Sequence, residues 1–137
     1  MEDVEIAYAA GIIDGEGTIT LGREKATSPY RHLIVSVSST TIDILRFLQT
    51  HYSGSISTHK TYAEHHLQSW SWKVQNRGAL KLCSEVLPYL LEPEKKRRAL
   101  LCVSRYLQVT PRNGRYTEQG REAKLAFERE FFHPSAA

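Results

Sequence analysis

Ala7, Gly11 and Gly15 recur every four residues, and two carboxylates, Asp14 and Glu16, close the run Tyr8-Ala9-Ala10-Gly11-Ile12-Ile13-Asp14-Gly15-Glu16-Gly17. In a helix that spacing places the three small residues on one face, almost bare of side chain, where a second backbone can approach closely. The carboxylates then fall at the helix's C-terminal end. Negative charge is disfavoured there unless a cation or a partner compensates it, because the unpaired carbonyls already carry partial negative charge. A hard divalent cation held by oxygen ligands would provide that compensation. The plainer alternative is a glycine-rich helix cap whose carboxylates simply face water.

A second cluster lies at Glu92-Pro93-Glu94-Lys95-Lys96-Arg97-Arg98, four consecutive cations after a proline, and Arg105, Arg112, Arg115 and Arg121 follow it. A solvated helix face explains such a run as readily as a polyanion site does. The formal charge of +3 permits a polyanionic partner without demanding one. Cys83 and Cys102 form no CxxC or Cys/His grouping and read as buried, reduced thiols, which places the protein in the cytoplasm or, if organelle-encoded, an organellar matrix. No apolar run is long enough to cross a bilayer, and Met1-Glu2-Asp3 opposes the basic start of a signal peptide, so neither membrane nor secretion is expected. With 137 residues, 41% of them hydrophobic, residues 1–137 are expected to form a single domain around one core.

The elements that must position these groups follow from periodicity. Residues 4–14 are apolar or small almost throughout and predict a helix buried on more than one side. It should end where Gly15 and Gly17 allow backbone conformations closed to other residues. Thr18-Ile19-Thr20-Leu21 and Leu33 to Ser38 alternate like strands on either side of a turn-rich stretch. Thr40 and Asp43 have capping-box spacing ahead of a helix reaching about Tyr52. Two further strands are expected near Gly54–Lys60 and Gln68–Val74. Ala79, Leu82, Cys83 and Val86 then repeat at helical spacing up to Pro88. Pro93 starts a helix running to about Val109, and Thr117 opens the last, to about Phe132. The order α-β-β-α-β-β-α with extra C-terminal helices predicts an α+β fold, a four-stranded antiparallel sheet with helices on one face. Its other face would carry Thr18, Thr20, Ser36, Ser38, Ser57, His59, Ser71 and Lys73. Such side chains on a two-stranded ribbon can reach base edges and phosphates in a DNA major groove, although an antiparallel sheet is often polar on one side only because water covers it.

Ala9-Ala10-Gly11-Ile12-Ile13-Asp14-Gly15-Glu16-Gly17, closing a helix and opening a strand, resembles the LAGLIDADG motif, and Leu87-Pro88-Tyr89-Leu90-Leu91 before Lys95-Lys96-Arg97-Arg98-Ala99 resembles that family's lysine-bearing segment. Together they span roughly residues 5–107. The resemblance implies a site-specific homing endonuclease, intron-encoded, that hydrolyses both strands of a long pseudo-palindromic double-stranded DNA target. A single motif implies a homodimer built on paired motif helices through Ala7, Ala10, Gly11, Asp14 and Gly15. Glu16 and the Gly15 carbonyl would be the metal ligands, and Glu16, Lys95 or Lys96, and Ser39 the catalytic groups. The DNA-binding set is then Thr18, Thr20, His32, Ser36, Ser38, Ser57, His59, Ser71, Lys73 and Arg97. Magnesium is the expected cofactor, with manganese as a substitute and calcium supporting binding without cleavage. The alternative is a non-cleaving binder on the same scaffold, an intron RNA maturase or a DNA-binding regulator.

Overall fold

The computed structural model describes residues 2–59 and 67–135 of the chain. α1 spans Asp3–Glu16 and runs directly into β1, Gly17–Gly22; β2 is His32–Ser39 and α2 Ile42–Tyr52. β3, Ser55–Thr58, and β4, Trp70–Gln75, precede α3, Asn76–Val86; α4 is Pro93–Arg105 and α5 Glu118–Phe132. Short 3-10 turns at Leu87–Tyr89 and Leu107–Val109 follow α3 and α4. The four strands form one antiparallel sheet in the order β1-β2-β4-β3, so β2 and β4 are central. The expected αββαββα order with further C-terminal helices is therefore present.

Alternation decides which side of the sheet the core occupies. Ile19 and Leu21 of β1, Leu33, Val35 and Val37 of β2, and Trp72 and Val74 of β4 are buried, and α2, α3 and α4 pack over that side. Removing these branched and aromatic side chains from water is the main force holding the helices down, at roughly 1.5–3 kcal/mol for each large side chain. Trp72 also donates its indole N–H to the Ser53 carbonyl at 2.8 Å, fixing the end of α2 to the sheet. α5 packs on α4 through Phe127 and Phe131, both fully buried.

Several local expectations are corrected. Gly15 is an ordinary helical residue, and Gly17 has φ −88°, open to any residue. What Gly17 cannot accept is a Cβ, which would lie 2.8 Å from the Ile13 Cα where helix turns into strand. Steric crowding rather than backbone freedom accounts for this glycine. The Thr40–Asp43 capping box does not form: Thr41 is the N-cap of α2 and makes no side-chain cap bond. α4 ends at Arg105 rather than near Val109. β3 is shorter than expected, and Lys60 lies outside the described residues.

Candidate functional site

Glu16 is the last residue of α1 and is exposed, so its carboxylate stands at the junction between the helix and the first strand of the sheet. The helix end is held by a lysine. Lys95 donates through Nζ to the Ile13 carbonyl at 3.0 Å and the Asp14 carbonyl at 2.8 Å, neutralising the negative pole of α1 next to Glu16. Lys96 is exposed. Of the two lysines, Lys95 is the one brought to the α1 terminus.

Asp14 is expected to cap or buttress the interface rather than bind metal. Its carboxylate accepts the Leu91 amide at 3.0 Å and the Glu92 amide at 3.0 Å, tying α1 to the lead-in of α4 within one chain. Glu92 in turn caps α4 by accepting the Glu94 and Lys95 amides. Ala10 is corrected as an interface residue, because it is fully buried in the chain's own core. Ala7, Gly11 and Gly15 do line an open surface. With Tyr8, Ile12, Glu16 and Ile44 they form a shallow groove of about 440 Å³, and a Cβ added at Gly11 or Gly15 would meet nothing within 4 Å. Val4, at 76% exposure, extends the same helix's apolar surface into solvent.

The cation run is mostly spent inside the molecule. Arg97 pairs with Glu94 and donates to the carbonyls of Glu130 at 3.2 Å and Phe131 at 2.6 Å, capping the end of α5. Arg97, expected in the DNA-binding set, thus sits on the helix layer rather than on the open sheet face. The same pairing holds the Glu94 carboxyl below its ordinary pKa, chiefly through the hydrogen bond from Arg97. Arg98 donates to the Ile19 carbonyl at 2.9 Å and lies over the rings of Phe131 and Phe132. Neither a solvated face nor a polyanion site describes these residues.

The sheet face away from the helices presents rows of short polar side chains in register. Thr18 is opposite Ser36, which is opposite Lys73, which is opposite Ser55. Ser38, Ser71 and Ser57 form the next row, and Thr20, Ile34 and Gln75 a third. His32 joins its Nε2 to the Gln75 Oε1 at 2.7 Å. His59 and Ser69 extend the β3–β4 ladder, through a His59 amide that donates to the Ser69 carbonyl at 3.0 Å. Sequence reasoning left Gln75 and Ser69 out of the site, although each continues the period-two pattern by one step. Ser39 lies at the end of β2, and its hydroxyl accepts the Thr41 amide at 2.9 Å, an anchor for the start of α2.

As a metal site, this arrangement offers hard oxygen donors, the Glu16 carboxylate and the neighbouring Gly15 carbonyl, of the kind magnesium or calcium prefers. They are too few alone. Among the described residues no group of three His, Cys, Asp or Glu side chains could hold an ion. Oxygens of a bound polyanion or of a second chain would have to complete the shell.

The fold is that of the LAGLIDADG homing endonucleases. I-CvuI, solved with its DNA target in the presence of calcium, superposes over 98% of this chain and 84% of its own, with TM-score 0.69 and 19% identity. I-TnaI matches over 95% of this chain and 87% of its own, with TM-score 0.64 and 17% identity. I-SmaMI, bound to cleaved DNA, matches over 90% of this chain but 42% of its own, with TM-score 0.61 and 22% identity. No protein-family model and no curated relative matches the sequence. No helix among the described residues is long and apolar enough to cross a membrane.

Proposed function

We propose that this chain, with the fold of the LAGLIDADG homing endonucleases, is one protomer of a homodimeric, divalent-metal-dependent endonuclease that cuts a long, roughly palindromic DNA site. The observation that carries this reading is the placement of one exposed carboxylate. Glu16 stands where the open α1 face meets the polar sheet face, so a second copy docked along Ala7, Gly11 and Gly15 would bring two Glu16 side chains together beside a DNA-sized surface. One carboxylate per strand then follows from symmetry.

Each residue has a distinct task. The polar rows of the sheet read base edges and touch phosphates in the major groove, and Lys73 adds a positive charge to the middle of that face. Glu16 contributes the anionic oxygen ligand and the Gly15 carbonyl a neutral one. When bound, the divalent ion supplies Lewis acidity and lowers the pKa of water near the scissile phosphate. Lys95 is a positioning residue: by binding the Ile13 and Asp14 carbonyls it fixes the peptide that carries Glu16.

Selection of cleaved sequences from a randomised duplex library in magnesium tests the proposal directly. Recovery of a site with twofold-related half-sites is the expected result. Salt-sensitive binding to duplex DNA without cleavage in magnesium or manganese would identify a regulator-type binder, and preference for structured RNA a maturase.

A further inference from the structure

On the open sheet face four side chains join into a single chain of hydrogen bonds. The Ser69 hydroxyl meets His59 Nδ1 at 3.0 Å, His59 Nε2 meets the Ser71 hydroxyl at 2.6 Å, and that hydroxyl meets Ser38 Oγ at 2.7 Å. The chain runs from the end of β3 across β4 to the central strand β2, where Ser38 is exposed. Both ring nitrogens of His59 are engaged, so the position of its proton limits the directions open to the hydroxyls beyond it.

A serine hydroxyl has one proton to donate, and a neutral imidazole donates from one nitrogen while accepting at the other. If Nε2 carries the proton, it donates to Ser71, whose own proton is then free to go to Ser38, leaving the Ser38 proton to point outward. If Nδ1 carries it, Nε2 accepts from Ser71, Ser71 accepts from Ser38, and Ser38 shows only lone pairs. A doubly protonated imidazolium cannot accept at Nε2, so it excludes the arrangement in which Ser71 donates to the ring. Resting on the DNA-binding reading above, we infer that His59 is a specificity-positioning residue. Through Ser71 it holds Ser38 as an acceptor while Nε2 is unprotonated, and it frees Ser38 to donate to the base edge it faces once Nε2 carries a proton.

Other charges share this face. Lys73 lies on β4 two residues beyond Ser71, and His32 is at the far end of β2. Glu16 precedes Gly17, the partner of Val37 next to Ser38. The helices pack on the opposite side of the sheet. Added charge on His59 strengthens attraction to any DNA sequence, so the informative readout is the ratio between bases at one position, not the overall affinity.

The test uses the whole protein and a pool of randomised duplex DNA, enriched by binding in calcium at about pH 5.5 and about pH 8. In the wild type, one base-pair position per half-site should shift at low pH by about threefold to tenfold, the discrimination of a single hydrogen bond. The shift should favour edges that present acceptors, such as guanine, over the cytosine amino group. His59→Gln should abolish the pH-dependent shift, and Ser38→Ala should abolish base preference at that same position. In the DNA-free protein, ¹⁵N spectra of the imidazole should show a changed His59 tautomer ratio in Ser38→Ala. An unchanged ratio, or a pH shift that survives His59→Gln, overturns the relay even when DNA is bound. Failure to enrich any sequence at either pH overturns the DNA reading, and the relay's role with it.

Discussion

Glu16 and Lys95 are opposite charges at one helix end, and they differ in what each is free to do. Lys95 is engaged by two carbonyls at 3.0 and 2.8 Å, whereas Glu16 is exposed. Glu16→Gln keeps the shape and loses the anionic oxygen on which a hard cation depends. It should abolish cleavage in magnesium while folding, assembly and DNA binding in calcium persist, as seen by comparing a cleavage assay with a gel shift. Near wild-type cutting by purified Glu16→Gln would show that another group holds the metal. Lys95→Met should lower stability by about 1–2 kcal/mol, because two carbonyls at the negative pole of α1 lose a charged donor, and should slow cleavage by loosening Glu16. Lys96→Met, at an exposed position, should leave both nearly unchanged in denaturant melts and cleavage rates. Equal effects of the two substitutions would remove the distinction.

The elements are held to one another largely by side chains that cap a neighbour's backbone. Asp14 links α1 to α4 by accepting the Leu91 and Glu92 amides. Asp14→Asn replaces these charge-assisted bonds by weaker ones and should cost about 1–2 kcal/mol in chemical denaturation, with little change in cleavage per folded molecule. Lys124 of α5 makes a second test. It is fully buried, donates to Thr110 Oγ1 at 2.8 Å and lies over the Tyr106 and Phe127 rings. Burial lowers its pKa, with Glu128 acting in the opposite direction. A depressed lysine pKa favours the neutral form in the folded state, so its contribution is fully present above the unfolded pKa and is lost as pH falls through the folded one. Wild-type stability should therefore rise with pH between the depressed value and the ordinary lysine value. Lys124→Met should flatten that rise and, at neutral pH, be stabilising by about 1 kcal/mol. A stability curve unchanged by the substitution would mean that the ammonium is not desolvated. The strands and their buried faces were legible because Ile19, Leu21, Leu33, Val35 and Val37 obey a period that depends on nearest neighbours only. Asp14, Lys95, Arg97 and Arg98 were not legible, because their partners are backbone groups 33 to 82 positions away. Spacing records charge along α4, but only packing decides which carbonyl each cation meets. The same limit applied to Ala10, a small residue that the motif groups with Gly11 but the core claims.

At the scale of the whole molecule, the remaining question is what covers α1. Val4 and Tyr8 are 76% and 54% exposed, and Ala7, Gly11 and Gly15 lie between or beyond them on an open groove. Apolar surface of this kind on a helix is unusual for a chain that works alone, and a bare small-residue track permits backbone-to-backbone contact of two such helices. Gly11 isolates the question because, apart from its own stretch of helix backbone, nothing lies within 4 Å of a Cβ placed there. Gly11→Leu should therefore fold as well as the wild type, or slightly better, since leucine is the stronger helix former by about 1 kcal/mol. Its side chain would nevertheless hold two α1 helices apart and expose each Glu16 to a separate strand of solvent rather than to one DNA duplex. Sedimentation at micromolar concentration should give a dimer for the wild type and a monomer for Gly11→Leu, while circular dichroism and thermal melting of the variant remain native-like. Double-strand cleavage should disappear with assembly, and single-sided DNA binding should survive at lower affinity because half of the phosphate contacts are lost. A wild type that is monomeric and cuts both strands, or a Gly11→Leu variant that dimerises normally, would show that the α1 face is not where two copies meet.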